Sequence, residues 1–220
     1  MKAWIVEKHG AISDTKSLIL KEKEEPVLQQ GKALVEVHYC SLNHLDLWVR
    51  KGVPGHSFPL PLIPGCDVSG RITAVDSKEW SVGDAVVIQP VIFCGKCRNC
   101  KKKWISACEN FGLFGETVDG GLTQKILVDL KQLVKIPDSV SLEQAACLPV
   151  AYMTAYQMLH RRAQIQKGDL ILVQAGGSGV SVACIQIAKS IGAKVIATVG
   201  SPEKAKLLES LGVDEVILYR

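Results

Sequence analysis

The chain has 220 residues, enough for one large or two small domains with a sizeable core. Its formal charge of +4 is mild and its cations are scattered, Lys101-Lys102-Lys103 being the one basic run, so a solvated loop is the reading there and a nucleic-acid partner is not expected. The N-terminus, Met1 to Lys8, becomes charged too early for a signal peptide and no apolar stretch is long enough to span a bilayer, which points to the cytoplasm and away from a membrane partner.

Residues 1 to about 135 are rich in short β-type runs cut by Gly and Pro. Lys21-Glu22-Lys23-Glu24-Glu25 alternates in sign and reads as a solvated strand end or turn before Pro26. Ala33 to Tyr39, Val68 to Val75 and Ala85 to Ile88 are expected strands, the last opened by the turn signal Gly83-Asp84. Together they predict a small, strongly bent all-β domain.

Within that domain Cys94, Cys97, Cys100 and Cys108 fall in fifteen residues with the spacing C-x2-C-x2-C-x7-C. Each C-x2-C step can fold two thiolates back onto one ion, and four thiolates leave a tetrahedral metal no open position, so the pattern predicts one structural zinc. Two disulfides would need an oxidising compartment. An iron–sulfur cluster of the ferredoxin kind would need a C-x3-C-P continuation that is absent here. Cys40, Cys66, Cys147 and Cys184 are dispersed among apolar residues and read as small buried hydrophobes.

Beyond residue 140 the hydrophobic period changes. Ser141 to Leu159 has a helical apolar pattern opened by the cap Ser141-Leu142-Glu143-Gln144. Asp169 to Gln174 is a continuous apolar run, the kind of strand buried on both faces of a parallel sheet. A helix from about Val180 to Ile191, a strand Lys194 to Val199, a helix Pro202 to Leu211 and a third strand from Glu215 to Leu218 follow. Strand, helix, strand, helix, strand is one mononucleotide-binding half of a doubly wound sheet, and the third strand is expected to leave an open edge.

The turn Ala175-Gly176-Gly177-Ser178-Gly179-Val180-Ser181 joins the first of these strands to its helix. In that setting missing side chains let the backbone approach a pyrophosphate, and the helix N-terminus supplies N–H donors; the bland alternative is a tight turn without a ligand. Ser181 stands where the fingerprint places its last glycine. A site for NADH normally ends its second strand with an acid for the ribose 2′-hydroxyl, but Val199 occupies that position here. Gly200 and Ser201 leave room for a phosphate and Lys204 can reach it, so NADPH is expected over NADH.

The order of these parts resembles the medium-chain dehydrogenase/reductase superfamily, the zinc alcohol dehydrogenases and quinone oxidoreductases. The stretches Leu42 to Gly52, Ile63 to Gly70 and Ala145 to Tyr156 carry the likeness across essentially the whole chain. The resemblance implies an α/β protein with an all-β part: a GroES-like bent β-barrel domain over residues 1–140, with the zinc lobe at about 90–112, then a linking helix and the first half of a Rossmann domain over 141–220. The family's chains are longer, so a truncated version is expected. Full-length relatives are expected to be homo-oligomers acting on a small-molecule carbonyl substrate.

The family's catalytic zinc takes a Cys, the His of a Gly-His-Glu motif and a second Cys. In this sequence those positions align with Asn43, Cys66 and Val150, and the Glu becomes Asp67. The departures imply a structural zinc kept and a catalytic zinc lost, and hence hydride transfer from NADPH to an enone, quinone or related carbonyl. Asn43, His44, Asp46 and Thr154 are then the candidate catalytic groups, with Asn43 donating its amide to a substrate carbonyl. For His44 and Asp46 a structural hydrogen-bonded pair is the competing reading. A non-catalytic zinc-stabilised fragment and a zinc alcohol dehydrogenase with atypical ligands are the alternatives.

Overall fold

A computed structural model describes residues 1–219, and the chain divides into two compact units, Met1–Pro149 and Val150–Arg220. The elements of the first are β1 (Lys2–Ile5), β2 (Ile19–Glu22), β3 (Lys32–Ser41), α1 (His44–Lys51), β4 (Asp67–Val75), β5 (Ala85–Ile88), β6 (Val91–Ile92), α2 (Arg98–Lys101), β7 (Gly112–Leu113), β8 (Lys125–Asp129), β9 (Leu133–Lys135) and α3 (Leu142–Ala146). Its main sheet is antiparallel, in the order β8-β3-β4-β5-β9. The ten-residue β3 is its spine, and register shifts at Leu34/Val35 and Val37/Tyr39 supply the bend that the Gly/Pro-rich sequence predicts. Alternate residues point inward: Val35, Val68, Ile72, Val86, Ile88, Ile126 and Val128 are all buried in one core with Phe114.

The first compact unit extends past the expected domain boundary at 140/141. Helix α3 packs on β3, β4 and β5, and the Ser69 hydroxyl donates to the Leu142 carbonyl at 2.6 Å, so the first unit runs on to Pro149. The single helical pattern over 141–159 is likewise divided. Cys147 caps α3, and Pro149, which has no N–H to continue a helix, opens α4 (Pro149–Tyr156). A π-helical stretch, Gln157–Ala163, extends α4.

The second unit adds β10 (Leu170–Val173), α5 (Gly179–Ile191), β11 (Lys194–Val199), α6 (Pro202–Ser210) and β12 (Glu215–Leu218). The strands are parallel in the order β10-β11-β12, so both β10 and β12 are edges, where the sequence reading named only the third strand. Strand β10 is also not buried on both faces. Val173, Val195, Ala197 and Val199 share one core with Ala183, Ile185 and Ala188 of α5 and Leu208 of α6. The helices cover that face, while Leu170 and Leu172 on the other are 64% and 60% exposed.

Candidate functional site

Strands β6 and β7 pair through Val91↔Leu113 and Ile92↔Gly112 and form the neck of a lobe that carries the four clustered cysteines. The Sγ atoms of Cys94, Cys97, Cys100 and Cys108 all lie within 4.8 Å of one another. Separations are 3.6 Å for Cys94–Cys108, 3.9 Å for Cys94–Cys100 and 4.0 Å for Cys97–Cys108. A tetrahedron with metal–sulfur bonds of ~2.3 Å has edges of about 3.8 Å, so the donor set already has the size of one tetrahedral dication. Backbone N–H groups point at the sulfurs: Cys97 N to Cys94 Sγ at 3.3 Å, Cys94 N to Cys108 Sγ at 3.4 Å and Asn110 N to Cys108 Sγ at 3.3 Å. Such donors favour thiolate. The backbone N–H of Lys96 pulls the Cys94 thiol down, and that of Glu109 pulls Cys97 to about 6. Desolvation and the neighbouring sulfurs push Cys100 up to about 12. Four sulfurs this close cannot all ionise without a cation among them. The basic run Lys101-Lys102-Lys103 sits exposed on this lobe.

The second cluster gathers where β3 runs into α1 and meets the start of β4. Asp46, in the first turn of α1, is 8% exposed, and burial raises its carboxyl above the ordinary range against the pull of two backbone donors. Those donors are Asn43 N at 2.7 Å and Gly65 N at 2.8 Å, so Asp46 pins the entry of α1 to the Gly65 turn. Gly65 has φ +96°, and a Cβ on it would stand 2.6 Å from Cys40 Sγ. His44 is exposed and its ring meets Trp48 edge-on at 5.1 Å. Asp67 is 1% exposed; its Oδ2 accepts from Asn43 Nδ2 at 2.9 Å and from the Ser41 hydroxyl at 3.2 Å. Asn43 Nδ2 also points at Cys66 Sγ at 3.5 Å. Burial pushes the Cys40 thiol up to about 12 and moves Cys66 in the same direction, with Asp46 and Asp67 adding to both. A cavity of about 360 Å³ opens beside this corner, lined by Asn43, His44, Asp46 and Arg50 together with apolar side chains that include Val6, Leu18, Leu42 and Leu122. Asn43, His44 and Asp46 are therefore brought together. Thr154 is exposed on α4 of the other unit.

In the second unit the glycine turn leads into α5 as expected. Ala175 holds φ +50°, rare for a residue with a Cβ, and its N–H donates to Thr198 Oγ1 at 3.2 Å. Ser178 caps α5 by accepting from Ser181 N at 3.3 Å, and Ser181 returns a bond to Gln174 O at 2.9 Å. Ser181 thus ties the loop closed as well as being small. A Cβ on Gly176 would stand 2.4 Å from Leu208 Cδ1, so packing alone demands that glycine. On Gly179 a Cβ would meet nothing nearer than Ala151 at 4.0 Å, leaving open space over the helix N-terminus. Val180 turns into the core. At the end of β11, Ser201 caps α6, and the stem of Lys204 lies 3.1 Å from where a Gly177 Cβ would stand. Two side chains that sequence reading passed over also sit here. Glu203 is held below the usual carboxylate range, chiefly by the Ser201 hydroxyl, and the Tyr219 ring packs over Gly200. Glu203 was legible as a first-turn acid, whereas Tyr219 needs the β11–β12 pairing to arrive.

The alcohol dehydrogenase GroES-like domain family matches residues 29–138, half of the chain, and the zinc-binding dehydrogenase family matches residues 179–220. The chain belongs to the medium-chain dehydrogenase/reductase superfamily. Among its relatives, an alcohol dehydrogenase of Geobacillus stearothermophilus is 34% identical over 99% of this chain and 63% of its own length. A quinone oxidoreductase of Pongo abelii is 28% identical over 89% of this chain and 52% of its own. A solved NAD-dependent alcohol dehydrogenase superposes with a TM-score of 0.93 at 37% identity, over 100% of this chain and 64% of that one. The chain thus spans about half to two-thirds of the length of these dehydrogenase/reductase relatives. No helix among the described residues is long and apolar enough to cross a membrane.

Proposed function

We propose that this dehydrogenase/reductase chain serves NADPH-dependent hydride transfer to an enone, quinone or related carbonyl, with one structural zinc and no catalytic zinc. The observation that carries the reading is the fate of the family's catalytic metal position. There the Asn43 amide and the Ser41 hydroxyl both donate to the buried Asp67 carboxylate, beside a Cys66 thiol that burial keeps protonated. An amide is a poor substitute for a thiolate, and a catalytic zinc needs three protein ligands. Without a Lewis acid the acceptor must be intrinsically electrophilic, which favours a conjugated carbonyl over a simple ketone. Zinc, held by Cys94, Cys97, Cys100 and Cys108, would cross-link the lobe.

NADPH, when bound, supplies the hydride. Gly177 and Ser178 lead into the open space over Gly179, and that space with the N–H groups that begin α5 suits its pyrophosphate. Ser201, Lys204 and Tyr219 would flank the 2′-phosphate side. His44, exposed beside the cavity, would hydrogen-bond the acceptor or return its proton, and Asp46 braces α1. One observation favours NADH instead: Glu203 already holds the Ser201 hydroxyl, placing a carboxylate where a phosphate would come.

The test is metal content together with NADPH and NADH oxidation against a panel of enones, quinones and simple ketones. One zinc per chain and turnover confined to conjugated acceptors are expected. Two zinc ions per chain, or simple ketones reduced as fast as enones, would overturn the reading. Lys204→Glu should weaken NADPH far more than NADH, and Glu203→Gln should shift preference modestly toward NADPH. Equal affinity for the two cofactors in the unmodified chain would remove the NADPH assignment.

A further inference from the structure

We propose that the cysteine lobe is a docking surface for an anionic lipid bilayer, with its exposed lysine turn and the aromatic rings beside it lying against the headgroups. The proposal does not depend on the reaction proposed above. Between the neck strands β6 and β7 the chain carries five cations, Lys96, Arg98, Lys101, Lys102 and Lys103, and one acid, Glu109. All five cations are exposed. Among the described residues none of them has a carboxylate within ion-pair reach, whereas Lys21, Lys23, Lys125 and Lys189 elsewhere each meet one. Like charges left unpaired on so small a lobe repel one another, and an anionic partner relieves that cost. The turn that presents them is fixed. Lys103 holds φ +62°, its N–H donates to Cys100 O at 2.9 Å, and the Trp104 N–H donates to Asn99 O at 2.9 Å. The Asn99 amide reaches across to Ala107 O at 2.5 Å.

Directly after the lysine run, Trp104 is 64% exposed, with Lys102 Nζ 5.9 Å from its ring centroid, and Phe111 on the same lobe is 42% exposed. Large rings left in water beside unpaired ammonium groups suit a bilayer interface, where the rings sit at headgroup level and the cations meet anionic lipid. Two features favour a bilayer over a soluble polyanion. Four of the five cations are Lys, point charges without the planar fork that reads individual phosphates or carboxylates. The cavities of about 540 and 360 Å³ are both lined by residues outside 93–111, and a single strand of nucleic acid needs a groove to track. The sequence argues against a segment that spans a membrane, but lying on its surface is a different mode that needs only charge and an apolar anchor.

The experiment is co-sedimentation of the metal-loaded chain with vesicles of phosphatidylcholine alone and of phosphatidylcholine with about one-third phosphatidylserine. The unmodified chain should partition onto the anionic vesicles at least ~tenfold more strongly, and raising the salt to about 1 M should release it. Lys103→Gln should lower partitioning about fivefold, the loss expected of one cation at a charged surface, and Lys101→Gln combined with it about 25-fold. Lys78→Gln, at an exposed lysine outside the lobe, should change little. Anionic vesicles should shift tryptophan emission to the blue in the unmodified chain but not in Trp104→Phe, because Trp4, Trp48 and Trp80 lie outside the lobe. Equal binding to the two vesicle types, a loss in Lys78→Gln as large as that in Lys103→Gln, or a blue shift that persists in Trp104→Phe would each overturn the proposal. Binding of single-stranded DNA or polyglutamate by a chain that leaves both vesicles alone would overturn it too, and would assign the lysines to a soluble polyanion. The substituted side chains are exposed, and the lipid and salt dependence of the unmodified chain decides the matter without them. Turnover is not read, so failure here leaves the proposed reaction untouched.

Discussion

The two cysteine neighbourhoods of the first unit are built from the same side chain and differ in what surrounds the sulfur: in the lobe two thiols are drawn down and Cys100 is pushed up, whereas at the α1 corner both are pushed up. In the lobe between β6 and β7, backbone N–H groups converge on sulfur and draw the Cys94 and Cys97 thiols down toward thiolate. At the α1 corner, Cys40 and Cys66 lie in a closed environment with two buried carboxylates, and both thiols are pushed up. The first neighbourhood is prepared for a cation. The second has used its polar groups on one another. Cysteine content alone does not announce a metal site; four sulfurs gathered within 4.8 Å of one another under backbone N–H donors do.

Removing metal should break the comparison most visibly. A structural zinc contributes on the order of 10 kcal/mol to the fold it holds. Chelation, or Cys97→Ser, should therefore expose residues 93–111 to protease while the sheet β8-β3-β4-β5-β9 stays protected from hydrogen exchange. A lobe as resistant without metal as with it would show that the sulfurs are only packing.

At the α1 corner the matching perturbation is Asp46→Ala, which leaves the N–H groups of Asn43 and Gly65 without their acceptor. A cost of about 3 kcal/mol is expected from two backbone donors losing a charged acceptor, measurable by urea unfolding. Metal content should not change. Asp46→Asn should recover part of the loss, because its amide oxygen can still accept one of the two bonds.

The raised thiols predict an alkaline signature. A group that is harder to deprotonate folded than unfolded adds stability below its unfolded pKa, and that stability is lost as pH rises toward the folded one. For Cys40 the window runs from the ordinary thiol value of 9.0 up to about 12. Unfolding free energy should fall across it, and Cys40→Ala should flatten the fall. An identical slope in the variant would place the alkaline transition elsewhere.

The smallest effect is one of rates. In the metal-loaded chain at neutral pH, the exposed Cys147 should react first with iodoacetamide, and Cys40 and Cys66 should react only as the fold opens. Mass-spectrometric mapping of the alkylated peptides gives the order directly.

Much of this organisation was legible in the residues, and what was not shares one cause. The zinc lobe could be read because its four ligands lie within fifteen residues, so that local turns suffice to bring them together. The glycine turn and the alternation of strand and helix after residue 165 were readable for the same reason: hydrophobic period and turn chemistry are short-range. The helical pattern over 141–159 was misread as continuous because its apolar spacing outweighed Pro149, which splits it. Strand β10 was misread as doubly buried because an apolar run reports only what could be covered.

The amino-acid sequence by itself determined the superfamily, the two-part architecture, the metal-sized cysteine cluster and the nucleotide-type turn. Only the tertiary structure decided what Asn43, Asp46 and Asp67 do. Their decisive partners are 19 residues apart for Asp46 and Gly65 and 24 apart for Asn43 and Asp67. The bonds exist because β3 and β4 pair in a register that sets Ser41 opposite Asp67. A side chain's chemical type travels with the sequence, but whether it donates, accepts or stays charged depends on which groups the fold brings against it and how much water it leaves between them.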